Sequence, residues 1–338
     1  MKRPTIADIA RRAGVTKAAV SFALNGQPGV SELTRQKIVA LAAEMGWQRS
    51  SAARALSDGK AGAFGLVVDR PARMLGIEPF FMRLIAGMQL ELSRNSTALL
   101  FTVAEDQEAE IATYRGWWGQ RRVDGVFLVD LRIDDRRVPV LQRMGMPTVV
   151  IGSPLGAGGL PAVWADDAAA MRMAVEHLAG LGHRRVARVA GPPDLWHTRI
   201  RGEEFARSAA ALGMEAVSAG ADYSGERAAE ATRELLGVDR PPTAILYDND
   251  VMAVSGLTAA QRLGVRVPED LSIIAWDDSP LCAGVHPALT ALSRDIAAYG
   301  GHAAQRLAQA AAGAEVGDYQ DVAPVLTLRE STARPARA

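Results

Sequence analysis

The chain has 338 residues, of which 49% are hydrophobic and 22% charged, and its formal net charge at pH 7 is zero. This length exceeds one ordinary domain, and the composition is typical of a folded globular protein. The single cysteine, Cys282, excludes an intrachain disulfide, and no apolar run approaches the roughly 20 residues of a membrane helix. We therefore expect a cytoplasmic protein of two or three domains with no membrane partner.

The zero net charge hides an asymmetry between the start of the chain and the rest. Residues 1–60 carry ten lysines and arginines against four acidic residues, a net charge of +6, which leaves −6 for the remainder. A basic segment on an acidic body is expected when only that segment meets the phosphates of a nucleic acid.

The first 49 residues are predicted to form three short helices. Thr5, Thr16 and Ser31 stand where N-caps are expected, and Gly14 is suited to end the first helix. Apolar residues follow each cap at helical spacing, so the third helix should face inward from Leu33 onward. This order of helices and turns is that of a helix-turn-helix unit, whose second helix enters the major groove. A three-helix bundle without a DNA role has the same periodicity, and the local positive charge favours DNA.

A short polar hinge is predicted at 50–61, and apolar strands then alternate with helices. The predicted strands are 64–68, 98–103, 125–129, 148–151, 186–190, 244–246 and 272–275, with a C-terminal strand near 323–329. The predicted helices are 80–94, 105–120, 138–144, 168–181, 199–212, 229–236 and 250–263. Nearly continuous apolar strands between helices indicate parallel sheets covered on both faces. Because the rhythm starts twice, we expect two lobes, with a ligand cleft beyond the carboxyl ends of the strands.

Motifs in both parts of the chain carry a family resemblance. In the head they are TIADIARRAGVTKAAVSFALN at 5–25, VSELTRQKI at 30–38 and SAARAL at 51–56. In the body they are VDGV at 123–126, YDNDVMA at 247–253 and VPEDLSIIAWDD at 267–278. These motifs closely resemble the lactose/galactose repressor family of transcription regulators, and the resemblance runs along essentially the whole chain.

The resemblance implies an α/β fold in which a helix-turn-helix head precedes a two-lobed, parallel-sheet body of the periplasmic-binding-protein type. The implied domains are the head at 1–49, the hinge at 50–61, a first lobe at 62–162 with 291–322, and a second lobe at 163–290 with 323–330. The implied function is that of a sequence-specific transcription regulator, a repressor that binds double-stranded DNA at a palindromic operator. It would act as a homodimer through helices such as 80–94 and 250–263, under the control of a carbohydrate effector bound between the lobes.

The resemblance also assigns DNA contacts. Lys17 and Ala18 take the positions that read base edges, and Leu56, with Ala53 nearby, takes that of an apolar wedge in the minor groove. Phe22 stands where many relatives have arginine, so a hydrogen bond to guanine is lost; the ring could pack on a thymine methyl or on the neighbouring helix. The remaining expected contacts are Thr5, Thr16, Ser21, Asn25 and Ser31.

The effector site is expected at strand ends that face the cleft. Carboxylates, amides and guanidinium groups there could bind several sugar hydroxyls at once. The strand-end residues are Asp69, Arg201, Asn249 and Asp277. By resemblance Arg201 is the arginine that grips the effector, although it could instead be a salt-bridged helix residue. Resemblance makes Tyr223 an aromatic platform, and weaker candidates are Phe81 and either Asp166 or Asp167.

Other chemistry finds little support in the sequence. The glycine-rich stretch at 156–159 is followed by Leu160 and Pro161 rather than a helix, so a phosphate-binding loop is not expected. The five histidines lack metal-ligand spacing, and we expect no metal, cofactor or enzymatic activity. Two alternatives remain open: a sugar-binding protein or enzyme with an incidental helical N-terminus, and an architectural protein that bends DNA through Leu56. The charge asymmetry and the hinge favour the regulator.

Overall fold

The structure is a computed structural model that describes residues 4–47, 60–70 and 75–336. The chain divides into two compact units, 1–61 and 62–338. The predicted hinge contacts Ala53 and Leu56 lie outside the described residues. Within those residues no helix is long and apolar enough to cross a bilayer.

The head contains the three predicted helices, α1 (Ile6–Ala13), α2 (Lys17–Leu24) and α3 (Glu32–Glu44). The side chains of Thr5, Thr16 and Ser31 each accept a backbone N–H at the start of a helix, which confirms the predicted caps. Helix α1 ends at Gly14 in the left-handed conformation, with φ of 71°. Local hydrogen bonding therefore sets where these helices begin and where α1 ends.

Leu33 corrects the predicted inward face of α3, because its side chain is 81% exposed. Ile38 is fully buried, and a residue five positions away along a helix is rotated by roughly 140° about the axis. Leu33 therefore lies off the buried stripe, although it is as apolar as the residues on it.

The body contains two parallel sheets covered by helices. Its strands are β1 (Ala63–Asp69), β2 (Ala98–Ala104), β3 (Val126–Val129), β4 (Thr148–Ile151), β5 (Ala162–Trp164), β6 (Arg185–Ala190), β7 (Glu215–Gly220), β8 (Ala244–Tyr247), β9 (Ser272–Trp276), β10 (Thr290–Ser293), β11 (Tyr319–Gln320) and β12 (Val325–Thr327). Its helices are α4 (Pro79–Ser93), α5 (Gln107–Gly119), α6 (Arg137–Met144), α7 (Asp167–Leu181), α8 (Trp196–Ala211), α9 (Gly225–Leu236), α10 (Asp250–Arg262), α11 (Pro280–Gly284) and α12 (Ile296–Ala311).

The two sheets share one topology. Their strand orders are β11-β5-β4-β3-β1-β2 in the first lobe and β12-β10-β9-β8-β6-β7 in the second. Among these described strands only β12 pairs antiparallel. The chain therefore switches direction between β1 and β3, and again between β6 and β8. In open parallel sheets the crevice for a ligand lies at such a switch point, beyond the carboxyl ends of the strands.

Each sheet is buried on both faces. In β1, Leu66 and Val68 pack with residues of α4 and α12, whereas Val67 packs with residues of α5 and α6 on the opposite face. Side chains alternate along a strand, so a strand buried on both sides must be apolar throughout. This confirms the parallel, two-sided sheets predicted from the sequence.

Sheet pairing corrects two of the predicted lobe boundaries. Strand β5 pairs in the first sheet and β10 in the second, so the predicted boundaries at 162/163 and 290/291 fall inside strands. The chain leaves the first lobe after Trp164 and the second after Ser293. Backbone pairing, rather than the end of an apolar run, sets the limits of a strand, and pairing is not visible in the sequence.

Helix α12 was not predicted from the sequence, and two adjacent glycines, Gly300 and Gly301, lie within it. In the structure α12 crosses α4 so closely that a Cβ at Gly300 would collide with the carbonyl oxygen of Leu84. A Cβ at Gly87 of α4 would likewise collide with the carbonyl of Ala297. Glycine stands at these positions because it lets two helix backbones touch, not because the helix ends there.

Candidate ligand cavity and nucleic-acid interface

The predicted base-reading residues lie on the open side of α2. Lys17 and Ala18 are exposed in its first turn, and Phe22 is 39% exposed. The ring of Phe22 also packs over Gly29, where an added Cβ would lie 3.2 Å from the Cδ2 atom of Phe22. The Arg35 guanidinium steadies the same turn by donating to the carbonyl of Phe22 at 3.3 Å. The ring therefore rests on its own turn while part of its surface stays open to solvent.

The other expected DNA contacts are mostly exposed, and some of their side chains already form hydrogen bonds within the head. Thr5, Thr16, Asn25 and Ser31 are exposed and Ser21 is half-buried. The Thr5 hydroxyl donates to Asp8 at 2.6 Å and also accepts the Asp8 amide. Such capping hydroxyls keep the helix N-termini rigid and directed at the surface that an anion would approach.

A cavity of about 370 Å³ lies between the two lobes of the body, within the size range of small-molecule sites. It is lined by most of the predicted effector residues, namely Phe81, Asp166, Asp167, Arg201, Tyr223, Asn249 and Asp277. Residues far apart in the sequence and drawn from both lobes thus meet around one space.

Asp69 is the exception and corrects the prediction. Its carboxylate accepts from Arg132 at 2.6 Å and lines a separate hollow beside Asp194. Successive side chains of a strand point to opposite faces, so at the end of β1 it is Arg70, not Asp69, that enters the cavity.

Arg201 is both a salt-bridged helix residue and a cavity residue. It projects from α8, donates to Asp167 at 3.1 Å and to the carbonyl oxygen of Asp248 at 3.2 Å, and lies 3.8 Å above the ring of Trp276. The residue is only 5% exposed. These contacts fix the guanidinium plane, which lowers the entropy that it would lose on binding a ligand.

The aromatic platform predicted at Tyr223 is covered by the side chain of Arg70 in the structure. Tyr223 is 3% exposed, its hydroxyl is hydrogen-bonded to His197 at 2.6 Å, and the guanidinium of Arg70 lies 4.6 Å above its ring. Asn249 is also engaged, because its side chain caps α10 through the amide of Met252 at 2.7 Å. A ligand would therefore meet the Arg70 side chain where the sequence predicts an open ring.

Several cavity residues escaped sequence reasoning. Arg70 and Asp130 follow β1 and β3 and pair at 3.0 Å, and Arg294 follows β10 and lies 3.7 Å from Asp277. Asp130 could have been predicted, because it is a polar residue directly after a predicted strand. Arg294 could not be found because β10 was not predicted.

Backbone strain is concentrated at this cavity. Asp130, Tyr223 and Asp277 line it and have positive φ angles of 50°, 67° and 62°. Residues other than glycine adopt this conformation at a cost, and such outliers cluster at functional sites.

Some buried polar atoms at the cavity lack a partner. Glu78 Oε2, Asp277 Oδ1 and Arg294 Nε have no hydrogen-bond partner within the part of the chain that the structure describes. Glu78 is 6% exposed, and burial raises the pKa of its carboxyl to about 7. Burial also raises the pKa of Asp277, against the opposing effect of Arg294 and Arg201. Buried polar atoms without a hydrogen bond are costly. Asp277 Oδ1 and Arg294 Nε lie 3.7 Å apart as an ion pair, so Glu78 Oε2 has the most to gain from a polar ligand.

The raised pKa of Glu78 predicts a dependence of stability on pH. The folded state holds the proton up to about pH 7 and the unfolded state releases it near pH 4.5, so the folded state binds more protons between these values. The free energy of unfolding should therefore fall as pH rises through this window. Glu78→Gln should make this fall smaller without removing it, because the pKa of Asp250 is also raised by burial, to about 6. Urea unfolding of both proteins at about pH 5 and about pH 7.5 measures it, and an equal change in the two proteins would contradict the assignment to Glu78.

A helix-turn-helix head joined to a two-lobed body that encloses a ligand cavity defines a ligand-responsive DNA-binding regulator. Residues 5–50 match the family model of bacterial regulatory proteins of the lacI family, and residues 175–332 match that of the periplasmic binding protein-like domain. The chain is 33% identical, over 97% of its length and 96% of the relative, to the HTH-type transcriptional regulator MalR of Streptomyces coelicolor. It belongs to the LacI family and is a helix-turn-helix transcription regulator.

Solved structures agree with this assignment. A LacI family regulator from Bifidobacterium animalis is 38% identical and superposes with a TM-score of 0.77 over 82% of this chain and all of that one. A structure described as a transcriptional regulator CelR-cellobiose complex is 28% identical, with a TM-score of 0.75 over 97% of this chain and all of that one. The fold is therefore shared with transcription regulators over 82% of this chain in one case and 97% in the other.

Proposed function

We propose that this regulator is a cytoplasmic, homodimeric repressor that binds a palindromic operator and responds to an uncharged sugar in the cavity between its lobes. The cavity binds the sugar without chemical conversion. If the effector changes the affinity for the operator by some factor, the operator must change the affinity for the effector by the same factor.

The charge arrangement of the cavity carries the proposal for an uncharged effector. Arg70, Arg201 and Arg294 already face the carboxylates of Asp130, Asp167 and Asp277, at 3.0, 3.1 and 3.7 Å. Glu78 and Asp166 add further carboxyl groups to the lining. An anionic sugar phosphate would meet this acidic excess, whereas hydroxyl groups could donate to the unpartnered oxygens of Glu78 and Asp277.

The solved CelR-cellobiose complex supports a carbohydrate of this kind, because it shares the fold over nearly the full length. In this chain the expected ligand contacts are Phe81, Arg201 and Asp277 from the sequence, with Glu78 and Arg294 added from the structure. We assign Tyr223 and Asn249 a supporting role: Tyr223 holds His197 and Asn249 caps α10 through the Met252 amide.

The dimer is supported by apolar side chains on the surface of the first lobe. Met82 and Leu90 on α4 are 59% and 67% exposed, and Phe101 and Val103 on the edge strand β2 are 39% and 40% exposed. An uncovered edge strand with apolar side chains is prone to pairing, so a partner surface there would protect it. In the second lobe we place the dimer face on α10, as the sequence predicts.

The proposal is tested by a thermal-shift screen of the full chain against cellobiose, maltose, other neutral sugars, sugar phosphates and nucleosides. We expect at least one neutral sugar to raise the melting temperature by an amount that grows with the logarithm of its concentration above Kd, and its phosphorylated form to have a much smaller effect. Isothermal calorimetry with the sugar found then gives its affinity. A response to sugar phosphates or nucleosides alone would overturn the uncharged-sugar proposal.

A further inference from the structure

The N-terminus of α8 bridges the two lobes. The segment before α8 forms an antiparallel bridge with the first lobe: the Trp196 amide donates to the Leu131 carbonyl at 2.9 Å, and the Ile133 amide donates to the Asp194 carbonyl at 2.8 Å. The Arg132 guanidinium adds an ion pair with the Asp194 carboxylate. The first N–H of a helix has no partner inside the helix, so here the first lobe supplies the missing acceptor for α8.

The indole of Trp196 extends this contact into the first lobe. Trp196 belongs to α8 of the second lobe but packs against the buried first-lobe cluster that includes Leu131 and Ala157. Its Nε1 atom is buried and has no hydrogen-bond partner among the described residues, so the ring is held there by shape and apolar contact.

The glycine-rich loop at 156–159 receives this indole. Gly156 has φ of 81°, and a Cβ there would collide with Nε1 of Trp196. Gly159 in the same loop has φ of 88° and open space where its Cβ would stand. The absence of a side chain at 156 is therefore required by the indole and not only by the turn.

We infer that Trp196, Gly156 and the Arg132–Asp194 pair form an interlobe clasp that holds the lobes closed beside the cavity. Helix α8 carries Arg201 into the cavity five residues after Trp196, so the clasp also positions the residue expected to grip the effector. Trp196 is thus a positioning residue. Opening the cavity requires withdrawal of the indole and exchange of the two interlobe backbone hydrogen bonds for water.

Native-state hydrogen exchange on the full chain, with no effector present, tests the clasp independently of the proposed sugar. In Gly156→Ala the amides of Ile133 and Trp196 should exchange at least about tenfold faster than in the wild type, because the added methyl group expels the indole. In Gly159→Ala, which carries the same left-handed backbone strain without the collision, both amides should exchange as in the wild type. Equal exchange of these amides in the two variants would overturn the clasp.

A second pair of variants keeps the test decisive should Gly156→Ala unfold. Trp196→Ala removes the indole from the other side and should accelerate the Ile133 and Trp196 amides by a similar factor. Trp118→Ala is the matched control, because Trp118 is a half-buried tryptophan that packs against the same first-lobe cluster. If Trp196→Ala leaves the two amides as protected as Trp118→Ala does, the clasp does not exist.

Discussion

Replacing Arg201 by alanine should abolish the response to the effector and leave operator binding without effector within about twofold of the wild type. The guanidinium lies in the cavity, 5% exposed, between Asp167 and the ring of Trp276. Charge-assisted hydrogen bonds contribute about 1.5–3 kcal/mol each. Losing two such bonds between the guanidinium and the effector should therefore weaken effector binding by at least about a hundredfold. Calorimetry with the sugar found in the screen, and operator titrations with and without it, measure the two effects.

Arg227→Ala is the matched control for this experiment. Arg227 lies on α9 of the same lobe, its side chain is 55% exposed, and it pairs with Glu230 across one helical turn. Its loss should change neither effector nor operator affinity by more than about twofold, since exposed pairs contribute little. Arg201→Lys keeps the charge but loses the planar fork and should retain only part of the affinity. Loss of operator binding together with effector binding in Arg201→Ala would show that the residue is structural.

Replacing Arg137 by leucine should lower the free energy of unfolding by about 3–5 kcal/mol. Its side chain is 2% exposed and donates to both oxygens of Glu110 at 2.9 Å and to Asp135 at 2.6 Å. Both carboxylates are fully buried, and burial already raises the pKa of Glu110. Without the guanidinium, two buried carboxylates would face each other without a counter-charge. Urea unfolding at neutral pH measures the loss.

Arg136→Leu provides the comparison at the neighbouring position. Arg136 is 70% exposed and pairs with Glu108 at 3.1 Å. A solvated pair of this kind should contribute less than about 1 kcal/mol. If the two variants differ by less than about 1 kcal/mol, the network around Arg137 is not what stabilises the first lobe.

Some cavity residues could be identified from the sequence, and others could be identified only from the structure. Asp277 lies in a motif of the family and Arg201 matches the family's effector-gripping arginine, and the structure brings both to the cavity. Glu78 and Arg294 lie outside the quoted motifs, and they become cavity residues only because helix and strand ends from different parts of the chain converge. Asp69 shows the limit of the strand-end rule, because one position along a strand decides which face a side chain enters.

The sequence by itself determined the local structure of this protein and its class. Caps at Thr5, Thr16 and Ser31, apolar periodicity, and the charge difference between head and body all act over a few residues or by summation, so they can be read along the chain. Only the tertiary structure places Arg70 over the Tyr223 ring, the backbone of α4 against Gly300, and the Trp196 indole over Gly156. Each depends on how closely two distant backbones approach, and that distance is set by packing of the whole body rather than by any one segment.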